Sequence, residues 1–166
     1  MLDANISFAT SAQRLFAGAN SFSLIAIPFF ILAGNIMNNG GIAERIVNVA
    51  KVVAGRMPGA LAQSNVVANM LFGAISGSGA AAAAAMGGTI GPMEKKEGYD
   101  PVYSTGVNIA SAPTGMLIPP SNLMIVCSTI AGSVSVAALF TGGYVPGILW
   151  GLLVMFLAGV KAKKCG

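Results

Sequence analysis

Charged residues divide the chain into segments, and three of these segments carry no charge over a long distance. Asp, Glu, Lys and Arg are absent from Leu15 to Ala43, from Met57 to Met93 and from Pro101 to Val160. A transmembrane helix needs about 20 predominantly apolar residues, so each uncharged segment is long enough to enter a bilayer. The pattern therefore predicts an all-α integral membrane protein.

The first uncharged segment predicts a transmembrane helix that Ser21 or Ser23 caps and that ends near Met37. Pro28 lies inside this helix and predicts a kink, because proline removes a backbone donor and clashes with the preceding turn. Residues 1–21 are mildly polar, and we expect them to form a separate N-terminal segment that is truncated.

Residues 42–55 predict an amphipathic helix, because apolar and polar side chains recur on opposite faces at helical spacing. The apolar positions are Ile42, Ile46, Val49 and Val53. The polar positions are Glu44, Asn48 and Lys51. Such a helix is suited to the membrane interface or to a protein partner. Residues 22–59 are therefore interpreted as a scaffold of one transmembrane helix and one interfacial helix.

The second uncharged segment is interrupted by Ser76-Gly77-Ser78-Gly79, and its two legs are too short to cross a bilayer twice. The legs, 60–75 and 80–91, would rise by only about 24 Å and about 18 Å at helical pitch. Short legs around a Gly/Ser tip predict a re-entrant helical hairpin over residues 60–92. Basic residues flank both ends, which places both ends on one side of the membrane. Residues 94–100 are expected to form a charged loop.

The third uncharged segment predicts a discontinuous transmembrane helix over residues 101–133. Ala112-Pro113-Thr114-Gly115 and Ile118-Pro119-Pro120-Ser121 interrupt it, because prolines remove backbone donors and favour extended geometry before them. We expect two half-helices joined by unwound chain, so residues 60–133 would form half of a transport domain. A last transmembrane helix with a basic end is predicted within residues 139–166.

Composition agrees with a membrane protein and argues against two other classes. Of the 166 residues, 55% are hydrophobic and 8% are charged, against about 25% charged in soluble domains. The net charge of +4 does not indicate nucleic-acid binding, because the basic residues lie at the ends of apolar segments. The chain has no His, and Cys127 and Cys165 form no metal-binding spacing. No nucleophile with a base and no paired acids occur at membrane depth, so an enzyme is not expected.

The two interruptions carry the candidate chemistry. Non-helical chain inside a bilayer must be buried in protein or line a polar cavity, and in secondary transporters such breaks mark the substrate and ion site. The oxygen donors that they offer are Ser76, Ser78, Thr114, Ser121 and Asn122. Neutral oxygens without a carboxylate match Na⁺ better than Ca²⁺, while helix N-termini suit a substrate carboxylate. The alternative is that the small residues only allow tight helix crossings.

Asn65 and Asn69 lie one turn apart on the first leg of the hairpin. Polar groups at this depth need partners, and two roles are open for them: hydrogen bonds between helices or direct contact with a ligand. We interpret Asn69, together with Asn122, as a candidate substrate-binding residue.

Four motifs occur in a fixed order: Ile27-Pro28-Phe29-Phe30-Ile31-Leu32-Ala33-Gly34, Phe72-Gly73-Ala74-Ile75-Ser76-Gly77-Ser78, Gly98-Tyr99 and Ile118-Pro119-Pro120-Ser121. In this order and spacing they resemble the large membrane (M) subunit of tripartite ATP-independent periplasmic (TRAP) transporters. The resemblance covers nearly the whole chain, and the combination is more specific than any one motif. Members of that family are much longer and hold a second, inverted repeat. The chain is therefore expected to be the first repeat, which needs the other half to transport.

The resemblance implies an elevator-type transporter repeat, in which a transport domain holding the re-entrant hairpin and the discontinuous helix slides against a scaffold. It implies a Na⁺-coupled secondary transporter that imports organic acids, such as C4-dicarboxylates or sialic acids, across the bacterial inner membrane. A periplasmic substrate-binding (P) subunit would deliver the substrate, and a small membrane (Q) subunit would complete the complex.

Carried over position by position, the resemblance assigns Na⁺ binding to the hairpin tip and to the broken helix. These positions are Ser76, Gly77, Ser78, Gly115, Pro119, Pro120 and Ser121, and Thr114 joins them through its hydroxyl. No metal other than Na⁺ is expected. Two alternatives stay open: a Na⁺/carboxylate elevator permease that works without a binding protein, and a membrane assembly protein that does not transport.

Overall fold

The computed structural model describes residues 8–19, 22–132 and 134–165, and every element of regular secondary structure in them is helical. The prediction of an all-α fold is therefore confirmed for this part of the chain. The helices are α1 (Phe8–Ala19), α2 (Phe22–Asn39), α3 (Ile42–Ala54), α4 (Ala60–Ser76), α5 (Gly79–Lys96), α6 (Pro101–Ser111), α7 (Thr114–Leu117), α8 (Asn122–Ala131) and α9 (Val136–Cys165).

The N-terminal helices differ in detail from the sequence expectation. Part of the mildly polar segment at the start of the chain is helical, as α1. Helix α2 runs through Pro28 and ends at Asn39, a little beyond the predicted end. Ser21, one of the two predicted caps, lies outside the described residues, and Ser23 lies inside α2 rather than before it.

Helix α3 is amphipathic as predicted, but only part of the predicted apolar face is buried: Ile46 is buried and Ile42 is partly buried. Its buried side chains, which face the α4–α5 pair, are Ala43, Ile46, Val47, Ala50 and Ala54. Val49 and Val53, which the pattern assigned to the apolar face, are 53% and 64% exposed. Alanine explains the difference, because its small side chain lets two helices approach closely although a hydropathy pattern ranks it below valine.

Helices α4 and α5 form a helical hairpin joined by Gly77 and Ser78. The first leg agrees with the prediction, whereas the second leg continues to Lys96 instead of ending near Gly91. The expectation of a loop at residues 94–100 is therefore wrong for its first three residues, and the side chain of Glu94 is buried. Charge alone does not end a helix, since basic residues in the last turn interact favourably with the helix dipole.

The predicted discontinuous helix is present as three pieces. Helices α6 and α7 lead to the double-proline segment, α8 follows it, and the two parts meet at an angle of 49°. By length and composition, one helix within the described residues, α9, is long and apolar enough to cross a membrane. The number rises to two when the bent pair is taken as one crossing.

Helix α9 packs along α4 and along the broken helix, which fixes the position of the break. It begins at Val136, slightly before the predicted start. Three side-chain donors make hydrogen bonds of 2.8 Å to main-chain oxygens across these contacts: Gln63 Nε2 to Met155, Tyr103 Oη to Ala158, and Trp150 Nε1 to Ala110. Glycine allows the close approach, since a Cβ atom at Gly147 would lie 2.7 Å from Ile118 Cγ1.

Candidate functional site

The hairpin tip is a two-residue turn between the end of one helix and the start of the next. Ser76 is the last residue of α4, and Gly77 follows it with a φ of 63°, in the left-handed region that glycine adopts most easily. Ser78 is extended and caps α5, because its Oγ accepts a hydrogen bond of 3.3 Å from the main-chain N of Ala81. The tip therefore places carbonyl groups of α4 beside amide groups of α5.

The double-proline segment repeats this arrangement between α7 and α8. Helix α7 ends at Leu117, and Ile118 is already extended before the two prolines. Ser121 caps α8, because its Oγ accepts a hydrogen bond of 3.4 Å from the main-chain N of Met124. A second pair of helix ends of opposite polarity is thus created inside the predicted discontinuous helix.

The two interruptions touch each other. The main-chain N of Asn122 donates a hydrogen bond of 3.3 Å to the carbonyl oxygen of Gly77. A Cβ atom at Gly77 would lie only 3.0 Å from the carbonyl oxygen of Pro120, so the tip and the break are in backbone contact. We call the region formed by residues 76–79 and 117–122 the junction.

Close to the junction, α4 and α7 pack with their backbones in contact. A Cβ atom at Gly73 would collide with Gly115 Cα, and a Cβ atom at Gly115 would lie 2.5 Å from Gly73 Cα. On the second leg, a Cβ atom at Gly79 would lie 2.8 Å from the carbonyl oxygen of Ala112. Glycine is therefore a steric requirement here, and it brings Gly115, a predicted site residue, against the hairpin.

The junction joins helix ends of two kinds. The C-termini of α4 and α7 present carbonyl oxygens with partial negative charge, and the N-termini of α5 and α8 present amides with partial positive charge. The carbonyl ends suit a cation and the amide ends suit a carboxylate. One side-chain atom is also unsatisfied, because Oδ1 of Asn122 is buried and has no hydrogen-bond partner. It lies beside the tip, with Asn122 Cγ 3.4 Å from the Cβ position of Gly77.

Three of the predicted hydroxyl ligands are buried in or beside the junction. Ser76, Thr114 and Ser121 are 3%, 0% and 0% exposed, whereas Ser78 is partly exposed. Thr114 Oγ1 donates a hydrogen bond of 2.6 Å to the carbonyl oxygen of Ser111, which leaves its lone pairs available to a cation. The contacts of Ser76 Oγ with the main chain of Ser78 are 3.4 Å long and are weak hydrogen bonds. These oxygens therefore retain capacity for a ligand.

Asn69 does not belong to the junction. It lies two turns before the tip on α4, is fully buried, and its Nδ2 faces Asn65 Oδ1 at 2.9 Å, Asn108 Oδ1 at 3.0 Å and Ser111 Oγ at 2.8 Å. The amide has two hydrogens, so it can satisfy two of these acceptors at a time. Of the two roles left open by the sequence, hydrogen bonding between helices is the one that the structure shows. Contact with a substrate stays a prediction.

Sequence reasoning identified Asn65 and Asn69 but missed the rest of the polar row to which they belong, which joins α4, α5 and α6. The row consists of Asn65, Asn69, Glu94, Ser104, Asn108 and Ser111. Its α6 members recur at intervals of four and three residues, which places them on one helix face. This spacing is the signal that could have identified the row.

Comparison with known proteins identifies the family. Residues 2–166 match the family described as tripartite ATP-independent periplasmic transporter, DctM component. The chain is 56% identical over 153 residues to the protein YgiK of Salmonella typhimurium, covering 92% of this chain and 35% of that protein. It is 43% identical to the C4-dicarboxylate TRAP transporter large permease protein DctM of Vibrio cholerae, covering 95% of this chain and 35% of the relative. It is 38% identical to the sialic acid TRAP transporter large permease protein SiaM of the same organism, covering 97% and 37%.

The chain spans about a third of the length of the curated relatives it matches. The resemblance seen in the sequence motifs is confirmed over nearly all of the chain. The matched family is a transporter component and the Vibrio cholerae relatives are named as large permeases, so the chain belongs to a permease family and not to an enzyme family. The structure agrees with this match, because the hairpin tip packs on the double-proline break that the motifs predict. The family match and these relatives show that the chain belongs to the DctM family of TRAP transporter large permeases.

Proposed function

We propose that this chain forms part of the membrane permease of a Na⁺-coupled secondary transporter that imports organic acids. The relatives named for C4-dicarboxylates and for sialic acid support this substrate class. In a tripartite system, a periplasmic binding protein delivers the acid and a small membrane subunit completes the complex. The bacterial inner membrane is the expected location, because it separates the periplasm from the cytoplasm.

The observation that carries the proposal is the contact between the tip and the break. Gly77 packs on Pro120 and accepts a hydrogen bond from Asn122, whose own Oδ1 is buried without a partner. A buried acceptor that lacks a donor is costly, and a cation is one way to satisfy it. The carbonyl ends of α4 and α7 supply further oxygens of the kind that Na⁺ prefers.

The helix ends suggest how ion and acid bind together. Na⁺ is proposed at the carbonyl ends, and the acid at the amide ends of α5 and α8. The proposed side-chain donors to Na⁺ are Ser76, Thr114, Ser121 and Asn122. For Asn122 this ion contact replaces the substrate contact that the sequence suggested. A cation held beside a carboxylate in a region of low dielectric strengthens the binding of both. Because this coupling free energy is reciprocal, a Na⁺ gradient can drive uptake of the acid.

The same contact supports the proposed re-entrant geometry. If the bent pair crosses the bilayer, the break lies about 25 Å along the helices from Pro101 and about 15 Å from Ala131, which is inside the membrane. The tip touches the break and therefore reaches the same depth, so the hairpin ends within the bilayer. The backbone contact of Gly73 with Gly115 joins hairpin and broken helix into one unit, as an elevator motion requires.

The test is uptake of candidate acids by the complete transporter in proteoliposomes, with and without a Na⁺ gradient. Asn122→Leu keeps the size of the side chain and removes the unpartnered oxygen. We expect Na⁺-driven uptake to fall by about tenfold or more, because an interaction with a charged group is lost. The matched control is Asn48→Leu, at an exposed position of α3, which should transport normally.

Three results would contradict parts of the proposal. Full uptake by Asn122→Leu would remove this residue from the ion site. Uptake that does not respond to a Na⁺ gradient would show that Na⁺ does not drive transport. Full uptake without the periplasmic binding protein would instead support the alternative of a permease that works without one.

A further inference from the structure

A carboxylate that the proposed transport site does not use is buried at the base of the hairpin. Glu94 lies in the last turn of α5, where the sequence predicted a charged loop, and it is 1% exposed. Two side chains from other helices lie near enough to this carboxylate to donate hydrogen bonds to it. They are the hydroxyl of Ser104 on α6 and the amide of Asn65 on α4. We call these three residues the base cluster.

The polar atoms of the base cluster are not satisfied. Oε1 of Glu94, Nδ2 of Asn65 and Oγ of Ser104 are each buried, and none of them completes a hydrogen bond of good geometry. Three mutually close polar atoms without partners are unusual, because buried polar groups are nearly always hydrogen-bonded. Burial, the largest effect, disfavours the ionised carboxylate of Glu94, and the nearby Ser104 hydroxyl and Asn65 amide offset part of it.

No described residue supplies a positive charge to Glu94. Lys51 of α3 directs its Nζ to Met93 Sδ, at 3.6 Å, and the two lysines that follow Glu94 are exposed. Glu97 adds like-charge repulsion. Helices α4 and α7 contain no titratable residue.

The titratable groups at the start of α6, Asp100 and Tyr103, have other partners. Asp100 caps α6 through the main-chain N of Val102 and of Tyr103, and the Tyr103 hydroxyl donates to Ala158. An ionised carboxylate in these surroundings would be strongly disfavoured. A bound proton or a bound cation would remove this cost.

The donor set favours the proton. Asn65 Oδ1 accepts a hydrogen bond of 2.9 Å from Asn69 Nδ2, so Asn65 presents its NH₂ group, not its oxygen, to the cluster. Only the oxygens of Glu94 and Ser104 then remain for a metal, and the described residues contain no group of three or more His, Cys, Asp and Glu. A neutral carboxylic acid fits better, because it can accept from Asn65 and donate to Ser104.

We propose that the base cluster is a proton-binding site, in which Glu94 holds a proton within the packed base of the hairpin. The inference goes beyond the proposed function and does not require Na⁺ coupling. The cluster is also linked to the transport region, since Asn65 bonds to Asn69, Asn69 to Ser111, and the Ser111 carbonyl to Thr114 of α7. Packing changes at the base can therefore reach the broken helix through side-chain contacts.

The first experiment measures the proton directly in the complete permease that carries this sequence, reconstituted in liposomes. A hydrophobic carbodiimide reacts with protonated carboxyl groups in apolar surroundings, and mass spectrometry locates the product. We expect Glu94 to be labelled near neutral pH and the labelling to be lost at alkaline pH. Glu44, an exposed carboxylate on α3, is the control and should stay unlabelled.

A second measurement covers the case that the reagent does not reach the site. Infrared difference spectra of wild type minus Glu94→Gln should show the carbonyl band of a protonated carboxylic acid, and wild type minus Glu44→Gln should not. Because the folded state binds a proton that the unfolded chain releases, raising the pH should lower the melting temperature of wild type relative to Glu94→Gln.

Two outcomes would overturn the proposal. One is the absence of the carbonyl band together with a melting-temperature difference that does not change with pH, which would mean that Glu94 is ionised. The other is labelling that NaCl suppresses at constant ionic strength, which would identify a cation site in place of the proton site. Neither outcome depends on transport, so both are distinguishable from a failure of the proposed function.

Discussion

The junction and the base cluster lie at opposite ends of the same hairpin and hold their helices together in different ways. At the junction and directly beside it, backbone meets backbone, and glycines at positions 73, 77 and 115 make the contacts possible. At the base, side chains from α4, α5 and α6 meet in a polar row. One end of the hairpin therefore depends on the absence of side chains and the other on their polar atoms.

This difference separates two kinds of binding. Main-chain carbonyl and amide groups at helix ends can bind an ion and an acid without any charged side chain. This arrangement suits a membrane interior, where a charged side chain is expensive. The polar row is held by hydrogen bonds between its side chains, and its unsatisfied atoms are Nδ2 of Asn65, Oδ1 of Asn69, Oγ of Ser104 and Oε1 of Glu94. Of these atoms only the Glu94 oxygen belongs to an acid, and the ligand that we propose for it is a proton.

The largest effect should come from breaking the backbone contact at the junction end. Gly73→Ala places a methyl group on Gly115 Cα, and overpacking of this kind costs about 3 kcal/mol. Gly88→Ala is the matched control, since a Cβ atom there meets nothing within 4 Å. Thermal unfolding of the purified permease measures both. Equal melting temperatures for the two variants would contradict the close packing of α4 on α7.

A smaller loss is expected from breaking the polar row. Asn69→Leu removes the amide that faces three acceptors and leaves them buried without a donor, which costs about 2 kcal/mol. Asn48→Leu, at an exposed position, should leave the melting temperature unchanged. The same variant tests the predicted substrate contact of Asn69. An unchanged KM for the acid would argue against that contact, and an unchanged melting temperature would argue against the structural role.

The smallest change in stability should separate backbone strain from ion binding. Gly77 and Gly98 both have a positive φ, 63° and 81°, but only Gly77 lies against other atoms. Alanine in the left-handed region costs about 1 kcal/mol at either position. Gly77→Ala should also reduce Na⁺-driven uptake, whereas Gly98→Ala should not. Equal uptake by the two variants would show that the tip is a turn without a role in transport.

The features that the sequence predicts best are those that depend on local chemistry. Gly77 and the two prolines break their helices because of their own backbone properties, so the hairpin and the discontinuous helix are visible in the sequence. The buried face of α3 is not, because it is selected by the shape of the α4–α5 pair. Alanines fit that surface better than the more hydrophobic Val49 and Val53.

The candidate site shows the same difference between local chemistry, which the sequence predicts, and tertiary packing, which it does not. Ser76, Ser121 and Asn122 were predicted from residue type at a break, and the structure places them in one junction. The burial of Glu94 depends instead on how far α5 extends and on which side of it α6 packs. A charged residue after an apolar segment ordinarily indicates water, and only the three-dimensional packing shows that this carboxylate faces the interior.

Helix α9 is attached to its neighbours partly through its own peptide groups. Gln63 and Tyr103 donate to the main-chain oxygens of Met155 and Ala158, and every amino acid carries such an oxygen. Replacing Met155 or Ala158 by another amino acid would therefore leave the main-chain acceptor in place. A mutational survey of α9 alone would overlook this attachment, because the side chains that specify it are encoded far upstream.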